Sequence, residues 1–391
     1  MRSNDYCTQA VTDLGSVDAL AWDALVARAG GGPFLRHAFL HALQATGCVG
    51  PGSGWAPQFV LLRQGDALAA AAPLYAKDHS YGEYVFDWAW AEAYPRYGLA
   101  YYPKGLVAVP FTPVGGARLL AVDSAARSAL ADALLAHAQA RGWSSLHVLF
   151  APSEENDLLA QRGLLLRHGV QFHWHNMAGG YDSFDHFLAA LTQPKRKKIR
   201  TERRKVREAG VTLERKRGRD IGEADWHLFY QCYCATYAAH WSTPYLNEAF
   251  FQRLGQCMPE HLLLVVARRD GRPVAASLGV HDAAGPGGRL YGRYWGALEP
   301  IDCLHFECCY YQMIEFAIEQ RLAAFEGGAQ GAHKLARGLD PVPTRSAHWV
   351  AHEGMREAIG RFVARESAGV DHTLEELQEH RAFRDAGAAP A

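Results

Sequence analysis

The segment from Arg289 to Arg337 gathers the side chains of this chain that are best suited to chemistry. His305 and Glu307 could each take a proton from an amine, directly or through a water molecule. Arg293 could hold a carboxylate or phosphate by a two-pronged guanidinium contact, and Tyr291 could protonate a leaving group or help stabilise an oxyanion. Around Gln330, the glycines Gly327, Gly328 and Gly331 would let backbone amides approach an anion closely. His333, Lys334 and Arg337 follow, and the spacing of three puts Lys334 and Arg337 on one side of a helical turn. The run lacks the Gly-Lys-Ser/Thr ending of a P-loop. Each group also has a structural reading: a first-turn carboxylate on the helix dipole for Glu307, a hydrogen-bonded core histidine for His305, and solvated cations for the turn.

Three elements must position these groups. Alternation predicts a strand over Arg289–Ala297 with Arg289, Tyr291, Arg293 and Trp295 on one face, which makes Trp295 a substrate-binding candidate beside Arg293. A helix is predicted from about Cys303 to Gln320, with Asp302 as its N-cap, and a further strand at Leu322–Glu326. Upstream lie helical patterns at 183–192, 195–209 and 223–239, and strand patterns at 211–216, 262–267 and 274–281 about the turn Arg269-Asp270-Gly271-Arg272. The first half has a similar order. Helices at 17–29 and 36–46 lead to extended segments at 57–63, 68–77, 81–87 and 111–122, then to a helix at 124–141 and a strand at 145–150. Two mixed α/β units result, divided near residues 170 to 182, as 1–175 and 176–391, the second carrying a helical tail from Glu353.

Composition narrows the function classes. The 391 residues are 49% hydrophobic and 21% charged, with a net charge of −1, so recognition of an anion must come from a local patch and not from the whole-molecule field. Such a patch exists at Lys195–Arg207, where nine of thirteen residues are Lys or Arg and one is Glu. It suits RNA, phospholipid or nucleotide phosphate, or else a solvated helix with Ile199 and Val206 inward. Phe86–Lys104 holds seven aromatics, and Trp88 and Arg96 there are candidates for contact with an acceptor. The eight cysteines have neither disulfide-framework nor zinc spacing, and no metal is expected. The N-terminus lacks a secretory pattern and no apolar run approaches a membrane span, so a cytoplasmic protein without stable membrane insertion is expected.

The runs at Pro110–Leu120, Leu146–Phe150, Phe184–Val206, Leu290–Gly296, Leu304–Ile318 and Phe325–Gly338 resemble the FemAB-like predicted N-acyltransferases over nearly the whole chain. The resemblance implies tandem acetyltransferase-like (GNAT) units with mixed central sheets flanked by helices. It also implies transfer of an acyl or aminoacyl group to an amine acceptor, as in the related FemAB proteins that attach amino acids to peptidoglycan precursors. The donor would be an aminoacyl-tRNA, a carrier-protein thioester or acyl-CoA, and no cofactor is required. Coenzyme A is disfavoured by Ile301-Asp302-Cys303-Leu304-His305, where the wider superfamily places a glycine-rich turn. A tRNA or acyl-carrier donor would dock on the basic helix Lys195 to Arg207. The alternative is a non-catalytic RNA- or anion-binding protein on a degenerate transferase fold.

Overall fold

Hydrophobic alternation and turn chemistry produce two α/β units, and the chain passes from one to the other three times. The computed structural model describes residues 6–282, 287–328, 331–379 and 382–383. One unit comprises Met1–Gly169 with Pro343–Asp371, the other Val170–Val342 with His372–Ala391. This differs from a single cut near residue 176, because two eleven-residue strands escaped the sequence reading: Leu165–His175 and Asp340–Val350. Arg167, His168 and Gly169 interrupt the apolar pattern in the first, and Pro341 and Pro343 punctuate the second. Residues 346–350 pair antiparallel with Ser145–Leu149, and Met355, Ile359 and Val363 of the helix Glu353–Glu379 pack with Trp90, Tyr94 and Tyr101. Much of the expected tail of the second unit is therefore built into the first.

In the first unit, Pro73 splits one apolar run into Ala67–Ala72 and Leu74–Lys77, which join different sheets. The helix Ser124–Ala140 covers a core of Val60, Leu62, Leu130, Leu134, Leu146 and Val148. Two expected extended segments are not strands. Gly82 and Tyr84 adopt positive φ within 81–87, and Phe111 does so at 56° between Pro110 and Pro113, so of 111–122 only Leu120–Ala121 pairs in a sheet. The loop between Lys77 and Lys104 is instead fastened by a buried polar chain. Lys104 donates to Ser80, Glu83 and Asp87, Tyr101 links Asp87 to His147 at 3.2 Å, and His147 meets the His348 ring nitrogen at 2.7 Å.

The second unit is the one that builds a site. Its strands β1 (Val211–Arg217), β2 (Leu262–Arg269), β3 (Arg272–His281) and β4 (Arg289–Ala297) form an antiparallel meander. β5 (Ala324–Glu326) then pairs parallel to β4. Helices α1 (Phe184–Ala190), α2 (Gln193–Glu208), α3 (Glu223–Ala239) and α4 (Glu248–Cys257) surround the sheet. The crossover from β4 to β5 is a helical segment, α5, made of Leu304–Phe306, a π-helical turn Glu307–Tyr311 and Gln312–Glu319. Its apolar side packs on Leu263, Val265, Leu290 and Phe325. No described helix is long and apolar enough to cross a membrane, and among the described residues no group of three His, Cys, Asp or Glu side chains could hold a metal ion.

Burial holds His147 and His348 well below the ordinary imidazole value of 6.5, so both are neutral in the fold. Their contribution to stability is present above pH 6.5 and is lost as pH falls, each by up to about 1.4 kcal/mol per pH unit. Urea midpoints measured from pH 7 downward are expected to drop steeply, and the double substitution His147→Gln, His348→Gln should flatten that slope even if it lowers stability at pH 7. An unchanged slope would remove the histidine pair as the cause.

Candidate functional site

The site begins where β4 and β5 stop pairing. Arg289, Leu290 and Tyr291 lie opposite Ala324, Phe325 and Glu326, and no register continues beyond them. The gap between Gly292–Trp295 and Gly327 is roofed by α5, leaving a cavity of about 120 Å³. Its walls come from Ser277 and Leu278 on β3, Gly292–Trp295 on β4, Phe325 and Gly327, and His305, Cys309, Tyr310 and Met313 on α5. The α5 residues recur every four or so positions, one face of a helix.

A β-bulge re-aims the β4 side chains. Gly279 pairs with Gly292 and Leu278 with Tyr294, so Arg293 is an extra residue and the alternation inverts across it. Trp295 turns to the α5 side, its ring 5.4 Å from that of His305. Tyr294 turns to the α3 side against Tyr233 and Phe251, and Gly296 sits against the Cys232 backbone, where a Cβ would come within 1.7 Å of the carbonyl oxygen. The shared face expected for Tyr291, Arg293 and Trp295 is thus corrected. Arg293 and Trp295 line the cavity, whereas Tyr291 is buried outside it, its hydroxyl 3.4 Å from Asp282 and its phenol pushed well above the usual range by burial.

The two proton-acceptor candidates part company. His305 faces the cavity, packed between Trp295 and Tyr310. Burial, with the cationic Arg337 and Lys334 nearby, lowers its pKa to about 4, so the ring is neutral at pH 7. Glu307 is buried on the opposite side of α5, where both carboxylate oxygens accept from Arg203 at 3.0–3.2 Å and one accepts from Gln312 at 2.9 Å. It is an ion-pair anchor for α2, not a wall of the cavity. Nor does Asp302 cap α5. Cys303 occupies that position with φ 65°, and Asp302 accepts from Lys205 at 2.7 Å.

The basic turn Ala332–Arg337 also divides its cations. Arg337 is only 2% exposed; it donates to the His333 carbonyl and to Glu202, both at 2.7 Å, and lies 3.4 Å over the Phe306 ring. That guanidinium is committed to the fold, which corrects its expected role in holding a substrate anion. Lys334 is buried too, but its ammonium donates to the Gly328 carbonyl at 3.1 Å and its stem runs beside Gly327 on the cavity wall. Burial lowers its pKa to about 8. His333 meets the Tyr310 hydroxyl at 3.2 Å. Gln330 lies outside the described residues.

The basic helix α2 buries Ile199 and Val206 and turns most of its charge to a groove of about 770 Å³. Arg196, Lys197, Arg200, Arg203, Arg204 and Arg207 line it over Phe184 and Leu188, against two carboxylates, Asp185 and Glu315. Glu202, the lone acid in the basic run, points the other way into a buried cluster with Tyr311 and Arg337. Sequence reasoning missed Ser277, Cys309 and Met313, whose apolar or neutral types gave no signal; Glu202 did carry one, as a single acid among nine cations. Trp88 and Arg96 belong to the first unit, where Trp88 is 37% exposed and meets the Tyr81 ring edge-on at 5.0 Å.

Comparison with known proteins places this geometry. No curated protein sequence matches the chain. Among solved structures, FemX is similar with a TM-score of 0.54 at 12% identity, covering 88% of this chain and 98% of that one. L-PGS from Bacillus licheniformis gives 0.54 at 12% identity, over 90% and 97%. The C-terminal domain of a putative lysylphosphatidylglycerol synthetase from Agrobacterium fabrum gives 0.55 at 11% identity, over 90% and 98%. At these identities the likeness establishes a shared fold. Residues 13–385 match the FemAB-like family, described as peptidoglycan biosynthesis/recognition, and the chain belongs to that family.

Proposed function

We propose that this FemAB-like N-acyltransferase carries out its transfer in the cavity between β4 and β5, with His305 and Lys334 as its working groups. The observation that carries this reading is the cavity itself: a gap in the sheet, roofed by a helix, with a neutral imidazole on its wall and a buried ammonium behind it. The amine attacks the donor carbonyl, the C–N bond forms, and the bond to the donor oxygen or sulfur breaks. His305 takes the amine proton as it is released and passes it to the departing oxygen or sulfur. Lys334 and the strand-edge amides near the bulge stabilise the oxyanion, and Arg293 at the wall holds an anionic part of donor or acceptor.

The groove on α2 supports a polyanionic donor, and an aminoacyl-tRNA fits it best. Glu307 and Glu315 face α2 while His305, Cys309 and Met313 face the cavity, so α5 stands between groove and cavity. A donor that engages both must reach around a helix roughly 10 Å across, which a macromolecule does more readily than a nucleotide. Nothing at Ile301–His305 supplies the glycine turn for coenzyme A, and Cys303 fills the position with a left-handed backbone. The amine acceptor would be a peptidoglycan-precursor amine, as the family description suggests.

His305→Gln and Lys334→Met are each expected to lower single-turnover transfer from a charged RNA minihelix by about 10²-fold or more, while Glu307→Gln acts chiefly on stability. Transfer that survives both cavity substitutions would end the assignment. Activity should rise as pH passes about 4, where His305 loses its proton, and fall above about 8 as Lys334 loses its own. A rate flat from pH 7 to 10 would remove Lys334 from the mechanism. In a salt titration of minihelix binding, Arg200→Gln with Arg204→Gln should reduce the slope of log affinity against log salt by roughly 0.7 to 0.9 for each phosphate that is no longer neutralised. Tight, salt-sensitive binding without turnover for any donor would favour the non-catalytic reading.

A further inference from the structure

Two glycines face each other across β3 and β4 beside the cavity, and Gly292 is one of its lining residues. Gly279 and Gly292 are register partners immediately beside the bulge. A Cβ at Gly279 would lie 3.1 Å from the Met313 sulfur, and one at Gly292 would lie 3.0 Å from the Phe325 ring. The pair therefore opens a notch in the sheet that Met313 and Phe325 fill, and both side chains are almost completely buried. A floor packed in this way has little room to retreat.

The walls are as restrictive in charge as the floor is in depth. Leu278, Met313, Phe325, Trp295 and Tyr310 are apolar or aromatic. The Ser277 hydroxyl donates to the Cys308 carbonyl at 3.1 Å, in the π-helical turn, and burial pushes the Cys309 thiol up, so it is neutral. Among the described residues no carboxylate lines the cavity, whereas Arg293 does and Lys334 stands behind it. A buried ammonium would meet no counter-charge on those walls. The volume of about 120 Å³ is below the roughly 150 Å³ of an engineered cavity that accepts benzene, so the space holds about five non-hydrogen atoms.

From this floor and these walls we infer that the group entering the cavity is a short acyl chain that carries no positive charge, and that Met313 and Phe325 set its length. Fatty acyl chains and side chains ending in an ammonium are excluded, and the α-amino group of an aminoacyl donor stays at the mouth. The inference rests on the reading that transfer occurs in this cavity, and its test has two independent arms. In the first, the protein carries ¹³C-methyl methionine, and the Met313 resonance, assigned by its loss in Met313→Leu, is followed as acetamide, butanamide, octanamide and the amide of 6-aminohexanoic acid are added. Acetamide and butanamide should shift it, and the other two should bind at least about tenfold more weakly. Phe325→Leu should move the length cut-off to longer chains while Met313 still reports; if that variant does not fold, Phe325→Met serves. Octanamide or the aminohexanoic amide binding as well as butanamide, no amide shifting Met313, or a cut-off unmoved by the Phe325 substitution would each overturn the inference.

The second arm measures transfer of acetyl, butyryl and octanoyl groups from N-acetylcysteamine thioesters, and of glycyl and lysyl groups from a charged minihelix, to hydroxylamine as surrogate amine. Acetyl, butyryl and glycyl groups should transfer, with octanoyl and lysyl at least about tenfold slower. Equal transfer of the long or cationic groups would also overturn the inference. Silence in this arm beside the expected amide selectivity would sink the transfer reading and leave the size and charge limit standing.

Discussion

The most basic helix of the molecule is held in place by two neighbours within its own charged run. Glu202 reaches into a buried cluster with Tyr311 and Arg337, and Arg203 pairs with Glu307 and Glu315 on α5. Removing one partner of a buried pair such as Glu202 and Arg337 costs about 3–5 kcal/mol, because the other charge is left desolvated. The clamp matters beyond stability. A helix with nine cations in thirteen residues repels itself, and only a fixed docking geometry can turn that repulsion into a groove whose charge points at a ligand. The same contacts hold the π-helical turn and the basic turn that frame the cavity.

That framing explains why reactive-looking groups ended in different roles. Glu307 and Arg337 answer charges on α2, whereas His305 and Lys334 face or adjoin the gap between β4 and β5. The bulge at Arg293 completes the division by bringing Trp295 to the cavity side and sending Tyr294 to the other. A strand with strict alternation would have placed Tyr291 and Trp295 together.

The first unit shows a different use of buried charge. Lys104, Glu83 and Asp87 are almost fully enclosed, and together with Tyr101, His147 and His348 they fasten a long aromatic loop that includes the segment 81–87, expected to be extended. Tyr81, Phe86, Trp88 and Tyr97 of that segment leave their rings exposed.

By itself the sequence determined the elements whose signals are local. Arg289–Ala297 and Glu223–Ala239 form over the predicted spans, the hairpin turns at Asp270-Gly271, and α2 keeps Ile199 and Val206 inward, because periodicity and turn chemistry act between near neighbours. The resemblance carried by its motifs also named the family to which the chain belongs. Tertiary structure alone decided what depends on distant partners: the strands at Leu165–His175 and Asp340–Val350, the bulge that inverts β4, the burial that keeps His305 neutral, and the pairing that takes Glu307 and Arg337 out of the cavity. A carboxylate or guanidinium in a sequence has a charge but no counter-ion, and only the fold supplies one, so whether such a group serves chemistry or architecture is settled by which oppositely charged side chain reaches it first.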